Sequence, residues 1–533
     1  MRIGIDVGGT NTDAVLMNGP DVLAEVKTST TADVTSGITA ALKGLAARKA
    51  LAPDQIQAVM IGTTHFTNAV VECRRLMATA ALRLGLPATR ALRPMAGWPE
   101  PLRRAIGDHA YLCHGGHEFD GRAISPLDVG ELRRVAEDIR AKGIRSVAIT
   151  AVFSPVNGDL ERQAADVLQR EIPGLAVSLS HEIGRIGLLE RESATIMNAC
   201  LRDLAVHITG AFRAALDAFG IDAPVYLSQN DGTLMSVEYA ETYPVATFAS
   251  GPTNSMRGAA FLSGLTDCVV VDIGGTTSDV GLLQRGFPRE ASLAAEIGGV
   301  RTNFRMPAVF SLGIGGGSHV SPDGSSVGPT SVGYELTTKA LVFGGDTLTT
   351  TDIAVAAGLA DIGDRARVAH LPADLIARVI EKIEVAIAQT VDRMKTSKDP
   401  IPVVVVGGGS ILVQDRLGAE RRIVKPNHYA VANAIGAAIA QVGGEVDRIF
   451  SLAAMSREDA LAEAKAEATE KAIAAGASPA SMSIVDIEEV PLAYLPGNAA
   501  RIRVKAVGDL TFEARETPTR GGGAPIAAQG GRG

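Results

Sequence analysis

The sequence predicts an α/β fold in which two similar lobes face each other across a cleft. The motif DVGGTNTD at 6–13 returns as DIGGTTSD at 272–279, with five of its eight positions identical. Each copy follows a β-rich run and precedes another apolar stretch, so strand, Gly-Gly turn and strand predict a hairpin with glycine-specific backbone angles. The elements that follow also agree in outline, as two copies of a β-β-β-α-β-α unit. The duplication therefore predicts two lobes around a cleft.

The first lobe is assigned to residues 1–82. After its hairpin come a β-like run at 22–26, a helix-like run at 32–50, a strand at 57–62 and a helix that starts near Thr64. This order supplies the first copy of the repeated unit.

Residues 83–265 are predicted to form an inserted α/β region and the helix that connects the lobes. RSVAITAVF at 145–153 indicates a buried strand, 158–172 a helix and AVSLSH at 176–181 another strand. Residues 188–219 have one long helical pattern with few breakers. We expect this region to pack on the first lobe.

The second lobe is assigned to residues 266–450. Its hairpin is followed by a long insertion, a helix-like stretch at 372–397, the strand PVVVV at 402–406 and a helix-like stretch after GGGS. Beyond 450 a charged, Ala-rich helix and two strand-like runs predict a small α+β subdomain over 451–518. The Gly-rich residues 519–533 are predicted to be a flexible tail.

Composition excludes several classes of function. The 533 residues carry 51 basic and 59 acidic side chains, a net charge of −8, so no basic excess favours nucleic acid or an anionic membrane. No apolar run reaches the roughly 18 residues that span a bilayer, and Asp6 lies where the apolar core of a signal peptide belongs. The four cysteines are far apart, which argues against a disulfide framework. We expect a soluble cytoplasmic protein.

The glycine turns indicate phosphate binding. A Gly-Gly turn leaves backbone N–H groups open to phosphate oxygens, and hydroxyl or amide side chains beside the turn add donors. The predicted contacts from the two turns are Gly8, Gly9, Thr10, Asn11, Gly274, Gly275, Thr276 and Thr277.

Carboxylates at the ends of the two predicted strands indicate a divalent cation. If the repeats face each other, Asp6 and Asp272 converge, and two like charges ~4 Å apart repel by about 4 kcal/mol at an effective dielectric near 20. Mg²⁺ held by carboxylates, waters and phosphates relieves such repulsion. Asp279, like Asp13, either braces its turn or joins the water shell of the metal.

A third glycine run, VVVVGGGS at 403–410, follows a continuous apolar strand. Small residues at Gly407, Gly408 and Gly409 would let a purine approach the backbone. GIGGGS at 313–318 is a further candidate for contact with phosphate or substrate. Neither a Walker P-loop nor a Rossmann fingerprint is present.

DVGGTNTD, DIGGTTSD and VVVGGGS, in that order, resemble the two phosphate loops and the adenosine loop of the actin-like/sugar-kinase ATPase superfamily, whose duplicated lobes are ribonuclease-H-like. More specifically, the chain resembles the hydantoinase A/oxoprolinase family over roughly residues 1–450. Further agreeing segments are IGTTHFTNAV at 61–70, SGPTNSMRGAA at 250–260 and AVANAIGAA at 430–438.

The resemblance implies ATP-dependent opening of a cyclic amide or imide, such as a hydantoin, 5-oxoproline or a lactam. On that model ATP phosphorylates the amide oxygen, water attacks the activated carbon, and Asp6 and Asp272 hold Mg²⁺ and orient water. Family members often need a hydantoinase B-like partner subunit, so we expect such a partner and an oligomer. The longer members carry a further C-terminal domain.

Other functions stay open. The family includes relatives that phosphorylate a ketone enolate or bicarbonate during carboxylation, and a small-molecule kinase would use the same ATP site. A non-enzymatic ATP switch that remodels or reactivates a partner protein is the third reading.

Arg191 is the predicted catalytic cation, because a guanidinium can neutralise the negative charge of an activated substrate. The alternative for this segment is an ion pair between Glu190 or Glu192 and a neighbouring arginine. His65 either faces the cleft or serves in capping and packing. Asn433, in an apolar helix, is expected to be a satisfied buried amide.

Residues of metal-ligand type also occur together at 109–120, where the sequence reads HAYLCHGGHEFD. Their spacing fits no standard zinc site, so a metal there is left open. The residues concerned are Cys113, His114, His117 and Asp120.

Overall fold

The computed structural model describes residues 1–30, 34–119, 121–291, 295–303, 306–397, 399–414, 416–417, 421–453, 455–493 and 498–511. Asp120 and the predicted tail at 519–533 lie outside the described residues.

The first copy of the repeat forms the predicted order of elements. They are β1 (Arg2–Val7), β2 (Asn11–Asn18), β3 (Asp21–Ser29), helix α1 (Val34–Arg48), β4 (Ala58–Thr63) and helix α2 (His65–Val71). Strands β1 and β2 pair antiparallel, and β1 runs parallel to β4.

The inserted region contains its own sheet. Its elements are β5 (Thr79–Leu86), α3 (Glu100–Ile106), β6 (His109–His114), α4 (Val129–Ala141), β7 (Ser146–Ala151), α5 (Asp159–Glu171), β8 (Ala176–Leu179), α6 (Ser180–Ile183) and α7 (Leu188–Asp217). The strands are parallel in the order β6-β5-β7-β8. The predicted strand at 176–181 ends at Leu179, because Ser180 begins the short helix α6. Helix α7 is the long helix that the sequence indicates.

The chain then returns to the first sheet and crosses to the second lobe. This segment contains β9 (Val225–Ser228), β10 (Thr233–Ser236), α8 (Val237–Thr242) and α9 (Ser250–Ser263). Strand β9 lies parallel to β4, which extends the first sheet to the order β3-β2-β1-β4-β9.

The second lobe repeats this strand order. Its elements are β11 (Cys268–Ile273), β12 (Ser278–Gln284), β13 (Phe287–Pro288), β14 (Ala295–Ile297), β15 (Val300–Thr302), β16 (Val309–Leu312), β17 (Ser318–Val320), β18 (Val327–Ser331), α10 (Leu336–Lys339), α11 (Thr350–Ala356), α12 (Ala373–Met394), β19 (Val403–Val406), β20 (Arg416–Leu417) and β21 (Arg421–Val424). The sheet runs β13-β12-β11-β19-β21, with the hairpin antiparallel and β19 parallel to β11.

The predicted α-helix directly after GGGS is wrong. Gly408–Leu412 forms a short 3₁₀ helix, and the chain continues into β20 and β21. Consecutive glycines have low helix propensity, and Val413 is already extended.

The boundary predicted at residue 450 also differs from the structure. The remaining elements are α13 (Ala432–Ala438), β22 (Gln441–Ser451), α14 (Arg457–Ala474), β23 (Ser483–Pro491) and β24 (Ala499–Gly508). Strand β22 crosses position 450 and pairs with β10 and β24, so β22, β24 and β23 continue the first sheet to nine strands. The described part of 451–518 is thus not a separate sheet, because the open edge of β10 offers unpaired backbone groups.

Each sheet has its own apolar core. Ile3, Ile5 and Val7 of β1 lie in the first core with residues of α7, while alternate valines of β11 and β19 pack with α12 in the second. Helices α9 and α13 pack against each other between the sheets, and α13 lies on β1. No helix among the described residues is long and apolar enough to cross a bilayer.

Candidate active site

The two glycine turns of the repeat face each other. The hydroxyl oxygens of Thr10 and Thr276, which hold equivalent positions, are 3.2 Å apart. Each turn closes in the same way: the N–H of Gly8 donates to the carbonyl of Asn11 at 3.0 Å, and that of Gly274 donates to Thr277 at 2.9 Å. The duplicated motif thus becomes one paired structure between the lobes.

The reason for glycine at these turns differs from the expectation. None of the four turn glycines has a φ in the left-handed region. A Cβ on Gly275 would lie 2.8 Å from Cγ2 of Thr10, so this position requires glycine for close approach of the loops. A Cβ on Gly9 would meet no atom within 4 Å, so that turn is open to an incoming group.

Four carboxylates lie behind the turns. Asp6 is opposite Asp13 across the first hairpin, and Asp272 is opposite Asp279 across the second, so each pair shares a face of its sheet. Burial and the neighbouring Asp13 raise the pKa of Asp6 to about 6, and Asp272 adds to the repulsion. Burial also raises the pKa of Asp279 to about 6, although a hydrogen bond from Ser311 opposes it. Asp6 and Asp13 therefore repel each other within one hairpin and Asp272 contributes less, while the convergence of Asp6 and Asp272 on one cation stays a prediction.

Two asparagine side chains hold the carboxylates of the first hairpin. The amide of Asn433, on α13, donates to Asp6 and to Asp13, at 2.9 Å in each case. The amide of Asn254, on α9, donates to Asp6 at 3.4 Å. Asn433 is therefore a satisfied amide as expected, and its place between two site carboxylates goes beyond that expectation.

Lys27 and Ser255 complete the cluster, and sequence reasoning missed both. Lys27, on β3, lies opposite Asp13 in register, and its Nζ is 2.5 Å from the Asp13 carboxylate. Its charge also lowers the pKa of Asp272, which burial raises overall. The hydroxyl of Ser255 donates to Asp272 at 2.5 Å. Side chains alternate between the two faces along β3, and this alternation is the sequence signal that places Lys27 on the same face as Asp13.

The third glycine run lies against Asp272. Gly407 has φ +86°, and a Cβ there would be 2.2 Å from the Asp272 carboxylate. A Cβ on Gly408 would lie 3.6 Å from Cε of Lys27, while Gly409 packs on the end of β11. Gly407, Gly408 and Gly409 thus join the two turns around one space.

The run at 313–318 has a supporting role. The N–H groups of Gly316 and Gly317 donate to the carbonyls of Gly274 and Gly275, at 3.0 and 2.7 Å. Because these two N–H groups already donate to the second turn, they cannot also donate to a phosphate.

The residues present fit Mg²⁺ and a nucleotide phosphate. Buried carboxylates with raised pKa values gain from a cation, and the open turn at Gly9 leaves N–H groups beside them. Within the described residues, no three His, Cys, Asp or Glu side chains form a ready metal-ligand group. Asp6 and Asp272 are the residues that would hold Mg²⁺, an ion that proteins usually bind through one or two carboxylates together with waters and phosphates.

Arg191 does not have the predicted place. Its side chain is fully buried. Its guanidinium donates to the carbonyls of Ala151, Arg185 and Ile186 and to the hydroxyl of Ser180, at 2.6–2.9 Å. Since a developing charge on a substrate needs accessible donors, Arg191 positions the turn after α6 instead.

The alternative reading of this segment is confirmed for Glu192. Its carboxylate accepts two hydrogen bonds from Arg83, both at 2.6 Å, in a buried ion pair. His65 begins α2, and its Nδ1 is 2.6 Å from the hydroxyl of Thr63, which agrees with a packing role; the N-cap of α2 is Thr64, and no side chain caps it.

The residues of metal-ligand type at 109–117 differ in their surroundings, and the buried Nδ1 of His117 has no hydrogen-bond partner within the described residues. His114 pairs with Glu131 at 2.8 Å, and burial raises the pKa of the Cys113 thiol to about 12. A thiol that resists deprotonation is a poor metal ligand.

Two family models match the chain. The hydantoinase/oxoprolinase N-terminal region matches residues 2–172, and hydantoinase/oxoprolinase matches residues 191–365. The chain belongs to the hydantoinase/oxoprolinase family. The two glycine turns of this hydantoinase/oxoprolinase protein each lie in one matched region, and the resemblance seen in its motifs is confirmed.

Two curated relatives of this hydantoinase/oxoprolinase chain are named as enzyme subunits. Caprolactamase subunit alpha of Pseudomonas jessenii is 28% identical over 388 residues, which are 68% of this chain and 55% of that relative. The acetophenone carboxylase gamma subunit of Aromatoleum aromaticum is 26% identical over 395 residues, 67% of this chain and 53% of that one. The chain therefore matches a little over half the length of these relatives.

Two solved structures share the fold. ATP-dependent caprolactamase from Pseudomonas jessenii gives a TM-score of 0.76 at 19% identity, over 96% of this chain and 88% of that one. Nucleotide-free acetone carboxylase gives 0.69 at 19% identity, with the same coverage. These likenesses confirm the α/β fold with two duplicated lobes.

Proposed function

We propose that this chain binds Mg-ATP between its paired glycine turns and is the phosphorylating part of an ATP-dependent enzyme that opens a cyclic amide or imide. The observation that carries the proposal is the 3.2 Å approach of Thr10 to Thr276, which sets both turns and their buried carboxylates around one space. Family membership supports the same reading.

Each group at this space has a role in the proposal. The N–H groups and hydroxyls of the two turns bind phosphate oxygens, and Gly407 to Gly409 leave room for the adenosine. Asp6 and Asp272 hold the cation, while Asn433, Asn254 and Ser255 orient the carboxylates. Bound ATP would supply the phosphoryl group that makes the amide oxygen a leaving group. Charge neutralisation and positioning are then the main tasks of the chain.

The cyclic amide is favoured by one relative, which is named as the alpha subunit of a caprolactamase. The same name, which designates a subunit, supports a partner subunit that contributes the remaining chemistry. We infer that this partner is of hydantoinase B type.

A carboxylase subunit is the second candidate. The acetophenone carboxylase gamma subunit is similar to this chain at nearly the same identity, 26% against 28%. In that case the same site would phosphorylate a ketone enolate or bicarbonate.

Phosphate release and product analysis separate the candidates. ATP turnover is measured with hydantoin, 2-pyrrolidinone and caprolactam, and separately with ketone and bicarbonate, each with and without the partner subunit. We expect turnover that depends on a cyclic amide and yields the ring-opened acid. Turnover that depends on ketone and bicarbonate assigns the carboxylase. No turnover under any condition contradicts both candidates.

A further inference from the structure

A cavity opens at the same edge of the first sheet as the first glycine turn, because its lining residues 229–231 follow β9, which runs parallel to β4 and β1. None of the predicted site residues lines it. Its volume is about 850 Å³. It is lined by the turn at 181–186 of the inserted region, by the segment 229–236 and helix α8 that follow β9, by β22, α14 and β24 of the C-terminal part, and by Asn303 of the second lobe. Cavities of this size at the junction of several parts of a fold commonly bind small molecules.

The charges of the wall are balanced. Four basic and four acidic side chains line the cavity. Arg501 and Asp447 form a two-fold hydrogen-bonded pair at 2.6 and 2.7 Å, and Asp231 pairs with Lys505 at 2.9 Å. Because these charges are already compensated, the wall offers hydrogen bonds to a neutral ligand rather than a counter-ion to a charged one.

One carboxylate in the wall is different. Within the described part of the chain, Glu182 has no basic partner, and it accepts a hydrogen bond from the hydroxyl of Tyr243 at 2.8 Å. Tyr243 packs against Tyr239, with ring centroids 4.7 Å apart, and both rings line the cavity. A flat ring with an N–H donor can lie against these tyrosine rings and donate to the Glu182 carboxylate. An anionic ligand would be repelled by that carboxylate.

Hydrogen bonds from α9 reach both the cavity wall and the carboxylates behind the glycine turns. The hydroxyl of Thr253 donates to the carbonyl of Asn230 in the cavity wall, at 3.0 Å. The next two residues, Asn254 and Ser255, donate to Asp6 and Asp272. Three consecutive residues thus link the cavity wall to both site carboxylates. Arg191 supports the opposite wall, since it binds the carbonyls of Arg185 and Ile186.

We infer that this cavity is the binding site for the acceptor substrate, and that it takes an uncharged cyclic amide in preference to an anionic one. The ligand class rests on the proposed function, while the site itself rests on the geometry above. The volume leaves room for a substituent on the ring.

Calorimetric titration of the chain with two matched ligands tests this inference. 2-Pyrrolidinone and 5-oxoproline share one lactam ring and differ by a carboxylate. We expect 2-pyrrolidinone to bind at least about tenfold more tightly, and the neutral amide of 5-oxoproline to bind like 2-pyrrolidinone. Equal or tighter binding of 5-oxoproline, or no binding of any neutral lactam, overturns the inference.

Variants locate the binding to the cavity. Tyr243→Ala is expected to weaken binding of 2-pyrrolidinone by about tenfold, because the ring and its hydroxyl are lost. Tyr111→Ala is the matched control, since the Tyr111 hydroxyl also donates to a carboxylate, that of Asp138, at 2.6 Å in the inserted sheet. Equal effects of the two variants, or no effect of Tyr243→Ala, contradict the assignment. Circular dichroism checks that both variants fold.

The outcome is independent of ATP turnover. If the lactam binds, Tyr243→Ala weakens this binding and no ATP is consumed, the assignment of the cavity is supported and the proposed function is contradicted. If a cyclic amide stimulates ATP turnover and Tyr243→Ala leaves its KM unchanged, the proposed function stands and the cavity assignment fails.

Discussion

Thr10 and Thr276 are separated by 266 residues in the chain and by 3.2 Å between their hydroxyl oxygens. They hold the same position in the two copies of the repeat, so their contact lies where the two lobes meet. Around it, both hairpins direct their first carboxylates, Asp6 and Asp272, toward the same region. Because this contact lies where the two lobes meet, the binding of a group there depends on the position of one lobe relative to the other.

The charge of Asp272 is the first target. Asp272→Asn keeps the size of the side chain and an acceptor for Ser255, but removes one of the crowded negative charges. We expect at least a hundredfold loss of Mg-ATP turnover and no loss of thermal stability, because repulsion in the folded state is reduced. Asp138→Asn, in the inserted region, is the control. Near-normal turnover of Asp272→Asn contradicts the model of converging carboxylates.

Lys27 is expected to contribute to nucleotide binding. It lies between Asp13 and the third glycine run, where a phosphate can compete for its charge. Lys27→Met should lower the affinity for a non-hydrolysable ATP analogue by about tenfold, measured by calorimetry. Lys142→Met, which removes an exposed ion pair of the same length with Asp138, should leave the affinity unchanged. Unaltered affinity of Lys27→Met would mean that Lys27 only balances Asp13.

Gly407 should tolerate no side chain. Gly407→Ala adds strain at φ +86° and places a methyl group 2.2 Å from the Asp272 carboxylate. We expect nucleotide binding to fall by about tenfold or more, because Asp272 must move. Gly97→Ala provides the matched control, since its φ is +79° and its Cβ would meet no atom within 4 Å. If both variants bind nucleotide equally well, the contact with Asp272 is unimportant.

The buried pair Arg83–Glu192 is expected to matter for stability. Arg83→Met leaves the Glu192 carboxylate buried without its partner, which costs about 3–5 kcal/mol. Replacing both residues, as Arg83→Met with Glu192→Leu, should recover most of this loss. The midpoint of urea unfolding measures both variants, and a double variant no more stable than the single one contradicts the explanation.

His65 predicts a pH dependence of stability. Burial lowers the pKa of His65 from 6.5 to about 4, with a smaller contribution from Arg75. Between these values the unfolded chain binds a proton that the folded chain does not, so the free energy of unfolding decreases as the pH falls from about 6.5 to 4. The loss amounts to at most about 3 kcal/mol.

His65→Gln removes this titration. Since other groups also titrate in the same range, the quantity to measure is the difference in unfolding free energy between the wild type and His65→Gln at each pH. We expect the difference to change by up to about 3 kcal/mol across the window. A constant difference would show that His65 titrates normally in the folded protein.

Local patterns predicted the hairpins well. Asp6 and Asp272 were predicted as site residues because each lies near the end of an apolar strand, just before a Gly-Gly turn. Since the motif is repeated, the same local geometry is predicted for both copies. The helices α1, α7 and α12 have long periodic patterns, which is the signal that a sequence expresses most clearly. By contrast, Arg191 was misassigned because nothing in its neighbourhood shows that backbone carbonyls surround it.

The sequence by itself determined the duplication, the order of strands and helices in each copy, and the two carboxylate-glycine turns, because all of these depend on neighbouring residues. The tertiary structure decided which distant groups contact these turns and sheets. Strand register brings Lys27 to Asp13, and the packing of α9 on α13 brings Asn254 and Asn433 to Asp6. The open edge of β10 pairs with β22. Such contacts depend on where elements far apart in the chain come to lie, and residue spacing does not encode that. The cavity arises in the same way, because segments that are far apart in the chain line it.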